Sequence, residues 1–489
     1  MERANVEVSR HLDLLQPLRP KRGTFSRLFR KEDSNQYTDE ELIAELNYGE
    51  ALIDYALFTF LNGQSIMTLI RAAIKLNTAH NILKFCHEAY KGKINWQEER
   101  CRVTFEAGVL NAIGITNLIL SNLPSSILKL LSLAGMTGDR DLGIAYLKRV
   151  SQMEDQPRIQ WNYCMILGYT IYLEQMLGFG EGSSEWADEI AGKFLNLYPN
   201  GAVPLFLNAR VALLRSEPRR AITLYHRCLA IQNDWKQIDL FCYFDLVWSY
   251  AILMDWNNAS RYCQILMQSC TWGHAINMHL YACLKFMGNE KVKDDRVSDE
   301  VIEAMSRVEG LRKRYAGRSY PAEKFAVERA KKFLQRDHQM ILPVFELFYV
   351  WNVFAMMKTD PNLLRPIVDR IDEKLLVVDT EGDREDKCVL LFLKGVSAKY
   401  LRDYASAVRS LNQAIQLGRD DRLQRTYILP HALMELGLVH KGMGDLKQSR
   451  SFIEQAKSHR SSKYLLEALV HLKAHSVLRQ IDELESGMQ

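Results

Sequence analysis

Two short stretches hold residue types whose spacing could do chemistry. The first is Gly135-Met136-Thr137-Gly138-Asp139-Arg140, a glycine-bearing turn between apolar segments, where backbone N–H groups could gather around a phosphate. A nucleotide loop would need a preceding strand and either G-x-x-x-x-G-K-S/T or G-x-G-x-x-G, so that successive N–H groups point inward. Here a helical pattern precedes the turn, and neither spacing is present. Gly138-Asp139 instead reads as a turn between helices, with Gly138 supplying a positive φ and Asp139 or Asp141 capping the next helix. Gly444-Asp445 and Arg402-Asp403 occupy equivalent places.

The second stretch holds His471 and His475, four apart on a helical pattern and able to share a metal, but with no H-E-x-x-H and no evident third ligand. The nine cysteines are scattered without a C-x-x-C pair, as expected of buried, reduced thiols. No nucleophile-elbow, kinase or Walker motif is found. The chain is therefore expected to be non-enzymatic, with no cofactor and no metal.

The elements that must position any site are helices. The chain has 489 residues, 47% hydrophobic and 25% charged, too long for one compact domain and suited to several domains or a repeat array. Its formal net charge of +4 argues against a dedicated nucleic-acid binder. Residues 107–128 are uncharged but hold Asn111, Asn117, Asn122 and Pro124, and residues 340–357 are interrupted by Glu346 and Asn352. Both read as buried core helices and not as membrane spans. The N-terminus lacks the apolar core of a signal peptide. Residues 19–31, RPKRGTFSRLFRK, interleave basic residues with Phe25, Leu28 and Phe29 and read as part of a disordered basic arm, with anionic lipid or an importin-type receptor as the functional alternative.

From residue 38 onward the pattern is helical, and the fold class expected is all-α, an α-solenoid of tetratricopeptide-like helix pairs. In that template a small residue recurs in each second helix, at Gly143, Ala221, Ala259, Ala407 and Ser449, opposite a small residue of the first helix such as Ala209, Gly395 or Gly437. Small residues there let two backbones approach, and the surrounding apolar positions fill the space between pairs. At Gly143 the frame assigns Ile127, Leu130, Leu131 and Ala134 to the first helix. Off-pattern residues are Asn208, Lys394 and His440. The organisation read from this is a disordered basic arm at 1–37, N-terminal helices with an incomplete first repeat at 38–104, an N-terminal array at 105–288, an irregular basic helical connector at 289–385, and C-terminal repeats with a capping helix at 386–489. The basic run within 312–336 reads as a solvated helix face.

The blocks NLPSSILKLLSLAGMTGDRDLGIAYL (122–147), FLNLYPNGAVPLFLNARVALLRSEPRRAI (194–222), DLFCYFDLVWSYAILMDWNNASRY (239–262) and GRSYPAEKFAVERAKKF (317–333), with the repeats at 395–456, resemble in order the tetratricopeptide repeat protein 39 family, related to inclusion-body clearance proteins of the mitochondrial outer membrane. The resemblance runs from about residue 41 to the C-terminus. It implies a non-catalytic helical-repeat scaffold or adaptor that binds other proteins, with links to lipid and protein homeostasis. The reduced thiols and the lack of a signal peptide lead to the expectation of a cytoplasmic protein, with the mitochondrial outer-membrane surface, which the resemblance implies, or the nucleus as the other places. One departure stands out: after the helix at 41–60, Leu61-Asn62-Gly63-Gln64-Ser65 leads directly to Ile66, so the family's expected second helix reads as absent.

The concave wall of such an array is formed by first helices. Template positions there give Phe206, Arg210, Phe241, Phe244, Trp248, Phe392 and Met434. This apolar, aromatic set reads either as a groove for an amphipathic helix or apolar peptide of a protein partner or as core packed against the connector. A peripheral membrane protein held by the basic arm is the alternative class.

Overall fold

The computed structural model describes residues 2–20, 34–62, 66–121, 138–153, 156–175, 184–313, 320–378, 384–419, 427–459 and 464–487, and every regular element among them is a helix. The fold is all-α, built of sequential helix pairs. Residues 21–33 of the basic arm, the loop GFGEGS at 178–183, and Ile127, Leu130, Leu131 and Ala134 lie outside the described residues. The chain divides into two compact units, Met1–Tyr169 and Thr170–Gln489. The division falls inside the stretch 105–288 that the sequence reads as one array.

The first unit contains α1 (Glu2–Leu15), α2 (Asp39–Asn62), α3 (Ile66–Gly92), α4 (Glu99–Ser121), α5 (Arg140–Ser151) and α6 (Ile159–Leu167), which a π-helical turn, Gly168–Glu174, continues. The sequence expects a disordered arm over 1–37, yet Glu2–Leu15 is helical. Val8, Leu12 and Leu15, spaced one and two turns apart, give it an apolar stripe that joins the α2 core. Beyond it, Arg19 binds both oxygens of Glu45, at 2.6 and 3.2 Å, and lies 3.7 Å over the Tyr48 ring.

The helix at 39–62 is followed, after residues 63–65, by the helix that begins at Ile66. α3 packs along α2 through Ala79, Ile82, Leu83, Cys86 and Ala89, so closely that a Cβ on Gly49 would stand 2.8 Å from Ile82 Cγ2. Gly143 does mark a close crossing, but its partner is Gly114 of α4: a Cβ on Gly143 would lie 2.8 Å from the Gly114 carbonyl oxygen. Asp139 caps α5, accepting from Leu142 N at 3.0 Å. Gly138 is not among the residues of positive φ. Its hydrogen side chain serves close approach, because a Cβ would fall 2.2 Å from Ser121 N.

The second unit continues with α7 (Ser184–Leu197), α8 (Ala202–Leu214), α9 (Pro218–Ile231), α10 (Lys236–Ile252), α11 (Trp256–Ser269), α12 (His274–Asn289), α13 (Asp295–Val308), α14 (Pro321–Gln335) and α15 (Pro343–Val350). A 3₁₀ turn, Val353–Met357, follows, then α16 (Pro361–Val377), α17 (Arg384–Tyr400), α18 (Tyr404–Gly418), α19 (Ile428–Gly442), α20 (Leu446–Ser458) and α21 (Glu467–Gly487).

One joint recurs between the two helices of the pairs α8/α9, α10/α11, α17/α18 and α19/α20. Ser216, Met254, Arg402 and Gly444 take left-handed φ of 63°, 55°, 59° and 82°. The next residue's N–H then reaches back to a carbonyl five residues earlier: Glu217 to Ala212, Asp255 to Tyr250, Asp403 to Ala398 and Asp445 to His440, at 2.9 to 3.0 Å. This is the Schellman closure of a helix C-terminus. In three of the four joints the same aspartate then caps the next helix, accepting from Asn258, Ser406 and Gln448 N–H groups. Ala209, Ala221, Ala259, Ala407 and Ser449 are fully buried, and a Cβ on Gly395 or Gly437 would strike Leu411 or Ile453 at 2.6 Å.

One face of the basic run is not solvated. Arg329 binds Glu346 and Glu385, Lys332 binds Glu385, and Arg336 binds Asp386 at 2.7 Å. These three cations are thereby engaged by the start of α17 and by α15, while Lys324 is exposed and Lys331 pairs with Glu309 at the surface.

Candidate functional site

The second unit's inner face is where the predicted groove residues fall, and they do not form an open groove. Trp248 is 1% exposed, and Phe392 and Met434 are wholly buried, as nearly are Arg210 and Phe206. Their neighbours come from the chain's own segment 343–357. Phe348 and Trp351 stand 6.3 and 6.2 Å from the Trp248 ring, and Trp351 meets Phe244 edge-on at 5.5 Å. Further along, Tyr349 packs edge-on against Phe392 at 4.7 Å, and its hydroxyl meets His431 Nδ1 at 2.8 Å. The groove set is therefore corrected: its centre is core, closed by an internal plug.

The plug sits there because its sequence is apolar without interruption from Val344 to Phe348 save for Glu346, and that glutamate is answered. Glu346 accepts from Arg329 and from the Tyr427 hydroxyl at 2.6 Å. At Asn352, with φ of 54°, the chain leaves the helical path. Its side-chain amide donates to the Gln175 carbonyl at 2.7 Å, while Gln175 donates to the Asn352 carbonyl at 3.2 Å. Thr359 then donates to the Arg215 carbonyl at 2.8 Å and lies 2.7 Å from Ser216 Oγ.

Two more buried carboxylates share this interior. Asp245 accepts from Arg210 at 2.7 Å and from the Tyr225 hydroxyl at 2.7 Å, with Arg210 also 4.9 Å over the Tyr172 ring. Burial, with Asp245 beside it, pushes the Tyr225 hydroxyl well up, so it stays protonated and donates. Glu435 is bound by Lys399 and lies 3.6 Å from Lys473. Burial alone would raise Glu435, but these two lysines outweigh it and hold the carboxyl down to about 2. Burial, together with Lys473, pushes His431 down to about 3. Each buried acid thus meets cationic side chains, the arrangement a low-dielectric interior requires.

What the plug leaves open is an aromatic rim. Phe241 is 47% exposed and Trp272 is 41% exposed. Half-buried Phe244 lies between them, one turn beyond Phe241 on α10 and 6.4 Å from Trp272. Phe241 also rests on Phe206 at 6.1 Å. Sequence reasoning found Phe241 and Phe244 through the repeat frame but missed Trp272, which precedes α12 and has no place in a first helix.

Among the described residues no three His, Cys, Asp or Glu gather as a metal site. His471 lies 3.7 Å from Glu467 on the exposed face of α21. Glu99–Ser121 is the one described helix long and apolar enough to cross a bilayer, and 61% of its most apolar window is buried within its unit.

The chain is similar to several known proteins. A family model described as Iml2/Tetratricopeptide repeat protein 39 matches residues 1–401. Tetratricopeptide repeat protein ttc-39B of Caenorhabditis elegans is 27% identical over 482 residues, covering 98% of this chain and 82% of that protein. Among solved structures, the P58(IPK) TPR domain is 12% identical with a TM-score of 0.21, covering 97% of this chain and 99% of that one. The APC/C hetero-tetramer Cut9-Hcn1 gives 12% and 0.27, covering 95% and 86%.

Proposed function

We propose that this chain, which belongs to the Iml2/Tetratricopeptide repeat protein 39 family, is a non-catalytic adaptor that docks an amphipathic helix of another protein on the rim formed by Phe241, Phe244 and Trp272. The observation that carries this reading is the exposure of Phe241 and Trp272 beside a groove whose centre is already full. Large rings held on a rigid helix face supply binding area at little entropic cost. A row of three rings is about two helical turns long, which suits apolar side chains at i, i+4 and i+7 of a partner helix. Nine free thiols are in keeping with action in the cytosol or on the cytosolic face of an organelle.

The test is a photo-reactive phenylalanine analogue in place of Phe241, expressed in the full chain in cells. The reading expects one discrete crosslinked protein whose yield falls at least about tenfold with Trp272→Ala, as loss of a hot-spot ring does, while the unfolding midpoint stays in place. An adduct of undiminished yield in Trp272→Ala, or no discrete adduct, refutes it.

A further inference from the structure

Cys228 lies in the last turn of α9 and Cys242 in the second turn of α10, and their sulfurs are 3.7 Å apart. Residues 232–235 join the two helices, a link short enough to lay them side by side. Both side chains are wholly buried. The Cys242 thiol donates to Cys228 Sγ, and the Cys228 thiol donates in turn to the Ala202 carbonyl at 3.3 Å. Donation by Cys242 holds the Cys228 thiol below its ordinary range against the opposing effect of burial. The same bond, with burial, pushes Cys242 well up. One sulfur is thus readied as a nucleophile while its neighbour stays a thiol.

Exposure by itself would favour other sulfurs, since Cys101 and Cys164 are partly exposed. Their surroundings work against reaction. Burial and the Glu98 carboxylate, 3.9 Å away, push Cys101 up, and burial pushes Cys164 up to about 11. Access to Cys228 comes through the end of its helix, where Ala230, Ile231, Asn233 and Asp234 are exposed. The turn that follows is held by the Gln232 side chain, which accepts from Trp235 N–H at 2.9 Å and donates to Asp239. A last turn so placed opens locally before the body of the helix does, and that admits a molecule little larger than water.

We propose that Cys228 and Cys242 form a peroxide-oxidisable dithiol that closes to a disulfide tying the end of α9 to α10. The Cys228 thiolate attacks one oxygen of hydrogen peroxide and the O–O bond breaks. Cys228 becomes a sulfenic acid, and the departing hydroxide takes up the proton that Cys228 had released, giving one water. The Cys242 sulfur then displaces hydroxide from Cys228: the S–S bond forms, the S–O bond breaks, and the Cys242 proton leaves with that hydroxide as a second water. The two sulfurs lose two electrons in all, and the peroxide gains them. The second step is intramolecular between atoms already in contact, so it outruns further oxidation of Cys228. The sulfurs need to close by less than about 2 Å. Thiol exchange with a small reductant reopens the pair. This chemistry does not depend on Phe241, the residue before Cys242, docking a partner.

The experiment treats the full, reduced chain with hydrogen peroxide in native buffer, blocks remaining thiols by alkylation, and maps the peptides by mass spectrometry without reduction. A linked pair of peptides carrying Cys228 and Cys242 should accumulate at least about tenfold faster than oxidation of Cys101 or Cys164, given the advantage of groups held in contact. Dithiothreitol should reverse it. In Cys242→Ser the disulfide should be lost and dimedone, which traps sulfenic acids, should label Cys228; in Cys228→Ser it should leave Cys242 unlabelled. Far-UV circular dichroism checks that both variants fold, and the measurement on the unaltered chain does not depend on them. The proposal is overturned if Cys101 or Cys164 oxidises while Cys228 and Cys242 stay reduced, or if the disulfide forms only in urea. It is overturned as well if Cys228 stays unlabelled in Cys242→Ser.

Discussion

Replacing Trp248 with alanine measures whether the plug is structural. Trp248 is 1% exposed and has Phe244, Phe348 and Trp351 within 5.8 to 6.3 Å of its ring centre. Truncating a buried indole to a methyl group removes roughly 160 Å² of buried surface, which at about 25 cal/mol per Å² is about 4 kcal/mol. That agrees with the range of about 3–5 kcal/mol for buried Trp→Ala substitutions, in which the cavity left behind adds to the transfer cost. With a urea m-value of about 3 kcal/mol/M, the midpoint should fall by about 1.3 M. Far-UV circular dichroism across a urea series gives this directly. Phe348→Ala made in the same background adds a second check: the pair should couple by about 1 kcal/mol, as aromatic neighbours do. If Trp248 faced an open groove, its loss would shift stability by no more than about 0.5 kcal/mol. A midpoint change below about 0.2 M, or no coupling to Phe348, would refute the internal plug.

Gly143→Ala should destabilise the first unit by about 1–3 kcal/mol, the usual cost of overpacking, because the added carbon would meet the Gly114 carbonyl oxygen at 2.8 Å; thermal melts of the full chain check this. Met254→Gly should stabilise by about 0.5–1 kcal/mol, since φ of 55° strains any side chain, and a fall in urea midpoint would contradict the assigned joint. Ser449→Ala should be neutral or stabilising by up to about 1 kcal/mol, because the buried Ser449 hydroxyl has no hydrogen-bond partner; a clear loss of stability would show that the hydroxyl is satisfied. For pH, Glu435 sits below its unfolded value, so its contribution is full above about pH 4.3 and is lost as pH falls from there through about 2. Glu435→Gln should therefore flatten the acid limb of a urea-midpoint profile, and an unchanged limb would remove Glu435 from the account.

Local pattern determined a great deal about this protein. Recurring small residues mark where helices approach closely, because Gly, Ala or Ser leaves room for a second backbone: Gly395 and Gly437 lie at such contacts, and Ala209, Ala221, Ala259 and Ala407 are wholly buried. The aspartates after each left-handed residue marked the joints at Arg402 and Gly444, since capping is decided within a few residues. Tertiary structure decided the rest. A repeat frame knows which residues face inward but not whether the space they face is empty, and the segment 343–357 fills it with rings that belong to no repeat. The stripe of Val8, Leu12 and Leu15 likewise becomes legible only against α2. The meeting of Glu435 with Lys399 and Lys473 depends on the fold most of all. Charge acts through space at a few ångströms, and sequence separation carries no information about that distance once the chain has turned back on itself.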